Sequence, residues 1–211
     1  NWNVLMMISG TQIIVYYFIR SLMPNLLADI LLEKSGNVMW VTIYMSLFAG
    51  LISAFIDNVA TVLMVAPVGL AVCKKLGINP VSMILSIAVS SNLQGAATLV
   101  GDTTSIMLGD FAGMNFMNFF WMKGRPGIFF AVELGAAATV PIMMILFRKN
   151  REPVEAKEST KVKEYMPSAM LVGMVLALII ASFIPDTPSV INGIICCTLA
   201  VLTMLIDFIK N

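Results

Sequence analysis

The sequence predicts an all-α membrane protein whose transmembrane helices include a re-entrant hairpin and a broken helix. Two observations carry that prediction. Of the 211 residues, 59% are hydrophobic and 12% charged, and the mean hydropathy is +0.91; a soluble domain carries roughly 25% charged residues. The apolar runs are continuous rather than alternating, which suits helices and not a membrane β-barrel. Two short polar stretches interrupt these runs: Asp57-Asn58, and Ser90 to Ser105 with its glycines and hydroxyls. An ionisable residue at membrane depth is expensive and marks a path for ions or substrates. Paired Gly- and hydroxyl-rich breaks suggest interrupted helices meeting at a binding site.

Val4 to Ile19 reads as a first span closed by Arg20, close to the roughly 20 apolar residues a crossing needs. Pro24 to Lys34 reads as an amphipathic interfacial helix, with Leu26, Leu27, Ile30 and Leu31 on one face and Asp29 and Glu33 on the other. Val38 to Ile56 and Val59 to Val72 are two apolar arms around Asp57-Asn58, within a segment 38–73. They suit either two spans or a hairpin entering and leaving on one side. The second arm is short for a crossing, and a polar tip at depth requires protein or a watery cavity around it. Pro80 to Val89 begins a helix that breaks across Ser90–Ser105 and resumes to Phe111, giving a broken helix 80–111.

Asn115 to Met122 reads as an interfacial aromatic segment, and Gly127 to Phe147 spans again. Arg148 to Tyr165 is hydrophilic and reads as a solvated linker, part of a cytoplasmic segment 148–166. Ala169–Ile184 and Val190–Ile206 form a last pair of spans joined by the turn Pro185-Asp-Thr-Pro188. With 38–72 a hairpin and 80–111 one broken span, Arg20, Lys34, Lys74, Lys75, the linker and Lys210 share a side. Only Lys123 and Arg125 fall opposite. That asymmetry puts the linker in the cytoplasm of a multi-pass protein of a cell membrane, inner or plasma. The chain opens Asn1-Trp2-Asn3 without an initiator Met or charged leader and ends just after a span. It therefore reads as a piece of a longer membrane protein.

No histidine is present, and Cys73, Cys196 and Cys197 lie in apolar runs, which argues against zinc or haem sites and for buried packing. Nothing resembles a basic nucleic-acid patch. The expected partners are the bilayer and a small ion or anion, with no cofactor beyond a coupling Na⁺ or H⁺. Asp57, Asn58 and Ser53, one turn earlier, form an oxygen-rich set suited to a hard cation such as Na⁺, or to a proton on Asp57. The alternative is that Asp57 caps the helix starting at Val59.

Asn92, Gln94, Gly95, Thr98 and Asp102 lie on the second break, where Gly95 and Gly101 permit close backbone approach. Asp102 is either a site residue or the cap of the resuming helix. Glu133 reads as a bundle hydrogen-bonding group or a relay, and Asp110 as solvated near the outer surface.

Ser53-Ala-Phe-Ile-Asp-Asn-Val-Ala-Thr-Val-Leu-Met-Val-Ala-Pro-Val68 resembles the hairpin signature of the ion transporter superfamily. That group holds the arsenite permeases, NhaD-type Na⁺/H⁺ antiporters, the melanosomal P protein, divalent-anion/Na⁺ symporters and other citrate-transporter-like domains. Ser91-Asn-Leu-Gln-Gly-Ala-Ala-Thr-Leu-Val-Gly-Asp102 resembles its second signature. Lys75-Leu-Gly-Ile-Asn-Pro80 and Ala112-Gly-Met-Asn-Phe116 fit as well. The resemblance covers roughly Asn1 to Phe147.

The resemblance implies an inverted-repeat transporter, with residues 1–147 as the first repeat and 167–211 opening the second, and a homodimer as in the symporters. It implies ion or substrate binding by Ser53, Asp57, Asn58, Asn92, Gly95, Thr98 and Asp102, with Na⁺ on Ser53, Asp57 and Asn58. Asp57 and Val59 stand where the symporters have Ser and Thr, and Thr103-Thr-Ser105 where Pro-Pro-Asn is common. The carboxylate is similar to the arsenite-permease and antiporter branch. The expected function is a secondary active transporter, not an enzyme, moving an inorganic or organic anion or exchanging Na⁺ and H⁺. The rivals are an intramembrane aspartyl protease using Asp57 and Asp102, and a non-transporting scaffold with no polar cavity between the breaks.

Overall fold

A computed structural model describes residues 2–150, 152–153, 160–184, 188 and 190–210. Among these residues the chain is all-α but for one short hairpin. The helices are α1 (Trp2–Arg20), α2 (Met23–Glu33), α3 (Val38–Ser53), α4 (Asn58–Leu76), α5 (Val81–Gly95), α6 (Thr103–Ala112), α7 (Ile128–Leu146), α8 (Met166–Ser182) and α9 (Ile191–Lys210). By length and composition α1, α7 and α9 are long and apolar enough to cross a membrane, while α3, α5 and α8 are shorter apolar helices.

Local chemistry sets the ends. Asn37 caps α3, accepting from Trp40 N–H at 3.1 Å, and Asp57 caps α4. Gly77 and Gly113, at φ +64° and +63°, end α4 and α6 in the left-handed conformation that only glycine adopts freely. Between α6 and α7 a 3₁₀ turn (Phe116–Phe119) is followed by strands β1 (Trp121–Met122) and β2 (Arg125–Pro126). Lys123 and Gly124, both at positive φ, form their two-residue turn.

The helices sort into two ends. At one, Arg20 meets Asp207 at 3.5 Å and Lys210 meets Glu164 at 4.0 Å, and the start of α3 bonds to Asn150 and Glu152. At the other, Asn3 bonds Asp110 and Gly193 N–H, and Asn115 bonds the Ser182 carbonyl. Arg20, Lys163 and Lys210 thus gather at the first end, as the charge count anticipated.

Several expectations change in detail. The second break is shorter: α5 continues through Ser90, Ser91, Asn92 and Gln94 to Gly95, so only 96–102 are non-helical. Ser91, Asn92 and Gln94 find partners outside their own backbone, so they do not compete with the helix. α4 extends to Leu76, because its lysines are good helix formers, and carries Pro67 within it. In α2 the fully buried residues are Pro24, Ala28 and Leu32, while Ile30 is exposed. Within the aromatic segment Phe116 and Phe119 are buried in the core, while Trp121 is exposed. Residues 160 and 163 at the end of the linker dock: Thr160 donates twice to Asp29, and Lys163 N–H bonds Ser21 O. Asp110 is half-buried on Asn3. The turn at 185–187 lies outside the described residues.

The main core joins α1, α8, α9, the 96–102 segment and the 3₁₀ turn through Ile14, Phe18, Leu99, Phe116, Phe119 and Met174. A second core joins α2, α3, α4 and α5 through Ala28, Met45, Ala49, Val65 and Ile87. α1 and α9 touch backbone to backbone, as small residues permit in membranes. A Cβ on Gly10 would lie 2.5 Å from the Cys196 carbonyl carbon. Gly10→Ala should therefore destabilise the bundle by about 1–3 kcal/mol, the usual range for overpacking. A thermal melt in detergent checks this as a lowered midpoint.

Candidate functional site

The turn at 54–57 between α3 and α4 meets the turn at 96–102 between α5 and α6. Gly101 makes this possible: a Cβ there would sit 2.5 Å from Gly95 O, 2.7 Å from Ser53 O and 2.8 Å from Ala54 O. Three backbone carbonyls thus converge on one glycine. Thr98 donates its hydroxyl to Ala54 O, tying the two turns together. Leu99 and Val100, both buried, anchor the second turn in the main core.

Asp57 makes the helix cap that stood as the alternative to an ion site, with Oδ2 accepting from Val59 and Ala60 N–H at 3.1 Å each. Asp102 precedes α6 but accepts no backbone cap bond. It takes hydroxyl protons from Thr104 at 2.7 Å and Thr103 at 3.3 Å. The two carboxylates line one cleft of about 10 Å³, together with Ile8, Thr11, Gln12 and Val15 of α1 and with Val100, Thr103 and Ile106. Since α1 runs from Trp2 to Arg20, these four residues mark its middle, and both acidic groups lie at that depth.

Ser53 is completely buried and its Oγ has no hydrogen-bond partner. A Cβ on Gly95 would lie 3.4 Å from that oxygen, 3.5 Å from Asp102 Cβ and 3.5 Å from Gly101 O. Ser53, Gly95, Gly101 and Asp102 therefore surround one spot. Ser105 closes it, its hydroxyl 3.5 Å from Gly95 O. A buried hydroxyl oxygen and a backbone carbonyl oxygen beside an acidic side chain are among the oxygen ligands that hard cations take.

The other two predicted residues pair with each other. Asn58 Nδ2 donates to Asn92 Oδ1 at 2.8 Å, and Ser91 donates to Asn58 O at 3.0 Å. This brace joins α4 to α5 outside the cleft. Sequence reasoning missed the contribution of α1. Thr11-Gln12 inside the first apolar span was the available signal, although Thr11 bonds carbonyls of its own helix. Among the described residues no cluster of His, Cys, Asp or Glu could hold a metal ion.

A family model described as citrate transporter matches residues 1–211. The chain belongs to the citrate transporter family. An uncharacterized transporter of Mycobacterium tuberculosis (strain ATCC 25618 / H37Rv) is 37% identical over 120 residues, covering 56% of this chain and 28% of that protein. A second from the same strain is 30% identical over 188 residues, 87% of this chain and 44% of the relative. The P protein of Mus musculus is 26% identical over 163 residues, 75% of this chain and 20% of its own length. The chain thus spans less than half the length of these relatives. No solved structure matches. As a member of the citrate transporter family with several apolar helices, this is an integral multi-pass membrane protein.

Proposed function

We propose that the chain forms the ion-binding half of a secondary active permease of the inner or plasma membrane. It moves an inorganic or organic anion, or exchanges Na⁺ and H⁺, driven by a cation or proton gradient. One observation carries this reading: Asp57, Asp102 and the unpartnered Ser53 hydroxyl gather where two interrupted helices meet, level with the middle of α1. α3, at 16 residues, is about 24 Å long, short of the ~30 Å hydrocarbon core. A tip at mid-depth favours a re-entrant hairpin and the repeat organisation in which transporters keep their sites near the midplane. Ser53 and Asp57 would take the coupling ion, with carbonyls from the broken helix and Asp102 completing its oxygen shell and Asn58 bracing the tip.

The protease reading needs two carboxylates sharing a proton. Asp57 is committed to backbone amides and Asp102 to hydroxyls, with no hydrogen bond between them among the described residues. The scaffold reading expects no polar cleft between the breaks, whereas one lies there.

The test is a flux panel on the full-length polypeptide in proteoliposomes, crossing Na⁺ and proton gradients with arsenite, other oxyanions, di- and tricarboxylates, and Na⁺/H⁺ exchange alone. Saturable, gradient-driven movement of at least one of these is the expected result. Flux indifferent to both gradients for every solute would overturn the proposal.

A further inference from the structure

A second polar pocket lies between α3, α5 and α7, lined by Ser46, Gly50, Ser90, Gln94 and Thr139 among others, with a volume of about 10 Å³. That is room for one water molecule, which also needs two or more polar partners. Two are waiting: Ser46 is fully buried and Gln94 is 9% exposed, and neither Ser46 Oγ nor Gln94 Oε1 has a hydrogen-bond partner. The other end of the same amide reaches Glu133, with Nε2 donating to Oε2 at 3.4 Å. Gly50 leaves the space for Gln94, since a Cβ there would lie 2.9 Å from Gln94 Cγ.

Glu133 is the single acidic residue of α7, and the sequences of α3 and α5, which pack against it, contain no Asp, Glu, Lys or Arg. Its carboxylate is half-buried on an apolar helix. Among the described residues it pairs with no cation, and a carboxylate on an apolar span is expensive and marks a functional site by default. Gln94 is also the neighbour of Gly95, which walls the Ser53–Asp102 spot. Gln94 thus stands one residue from the proposed ion site.

We propose that Glu133 is a proton-binding site, distinct from the Asp57–Asp102 cleft, that is held by Gln94, whose amide oxygen shares one water with Ser46 Oγ. The proton comes from bulk solution, adds to a Glu133 carboxylate oxygen to give the neutral acid, and returns to solution on release. No other bond changes. Gln94 is the positioning residue: it donates to Glu133 in either state and ties that state to the broken helix. This inference rests on the transporter reading, whose failure the experiment separates from its own.

The experiment takes the full-length polypeptide in detergent, without transport substrate, and records infrared difference spectra between acidic and alkaline pH. A carboxylic-acid carbonyl band is expected that Glu133→Gln removes and Gln94→Leu shifts, with both variants eluting like the wild type in gel filtration. In proteoliposomes, flux should change with pH by at most about tenfold per unit, the limit for one proton, and Glu133→Gln should flatten that profile without abolishing flux. An unchanged pH profile in Glu133→Gln, or a carboxylic-acid band that Gln94→Leu does not shift, would overturn the proposal. Wild-type protein that carries no flux, with a Glu133 band that Gln94→Leu still shifts, would overturn the transporter reading and leave the proton site standing.

Discussion

Asp57→Asn is expected to lower gradient-coupled flux at least about 100-fold, a loss of roughly 2.7 kcal/mol, with little change in thermal stability. The substitution separates two roles that the structure combines in one side chain. As a cap, Asp57 needs only an oxygen for Val59 and Ala60 N–H. Asparagine supplies one and is as good an N-cap as aspartate. As an ion or proton site, Asp57 needs its charge, which asparagine lacks. Flux in proteoliposomes and a detergent melt, measured on the same preparation, distinguish the roles. Wild-type coupling in the variant would reduce Asp57 to a cap.

Gly101→Ala should have the largest structural effect, about 3 kcal/mol or more, at the top of the range for overpacking. The added methyl would meet three carbonyl oxygens at 2.5–2.8 Å, belonging to Ser53, Ala54 and Gly95. All three are backbone atoms, so relief requires the two turns to separate. The expected outcome is a lowered melting midpoint together with lost flux. Gly36→Ala is the control, since nothing lies within 4 Å of its Cβ position, and it should melt like the wild type. A Gly101→Ala variant as stable as that control would mean that the two turns do not touch.

Much of the fold was legible because membrane helices announce themselves. α1, α7, α8 and α9 follow continuous apolar runs, and the polar tip at Asp57 stands out against them. The limits of the second break were not legible. Ser, Asn and Gln read as helix breakers in isolation, yet Ser91, Asn92 and Gln94 remain helical because each reaches a partner on another element. In the aromatic run at 115–122 the sequence does not show which rings the protein covers: Phe116 and Phe119 fill the core, while Trp121 is exposed. For the site, both acidic residues were visible as costly exceptions in an apolar sequence. The contribution of α1 was not, because Thr11 and Gln12 lie some 45 positions before Asp57 and only tertiary packing brings them to the cleft.

The bond from Gly193 N–H to Asn3 Oδ1 joins residues 190 apart in sequence. At roughly 5–20 residues per second of synthesis, α1 enters the bilayer some ten to forty seconds before its principal neighbour exists. During that interval the flat Gly10 face and the Asn3 amide are open to lipid or to the insertion machinery, and the main core cannot close. Closure of the main core therefore waits for α9. A ribosome stalled before α9 should leave α1 extractable or open to crosslinking.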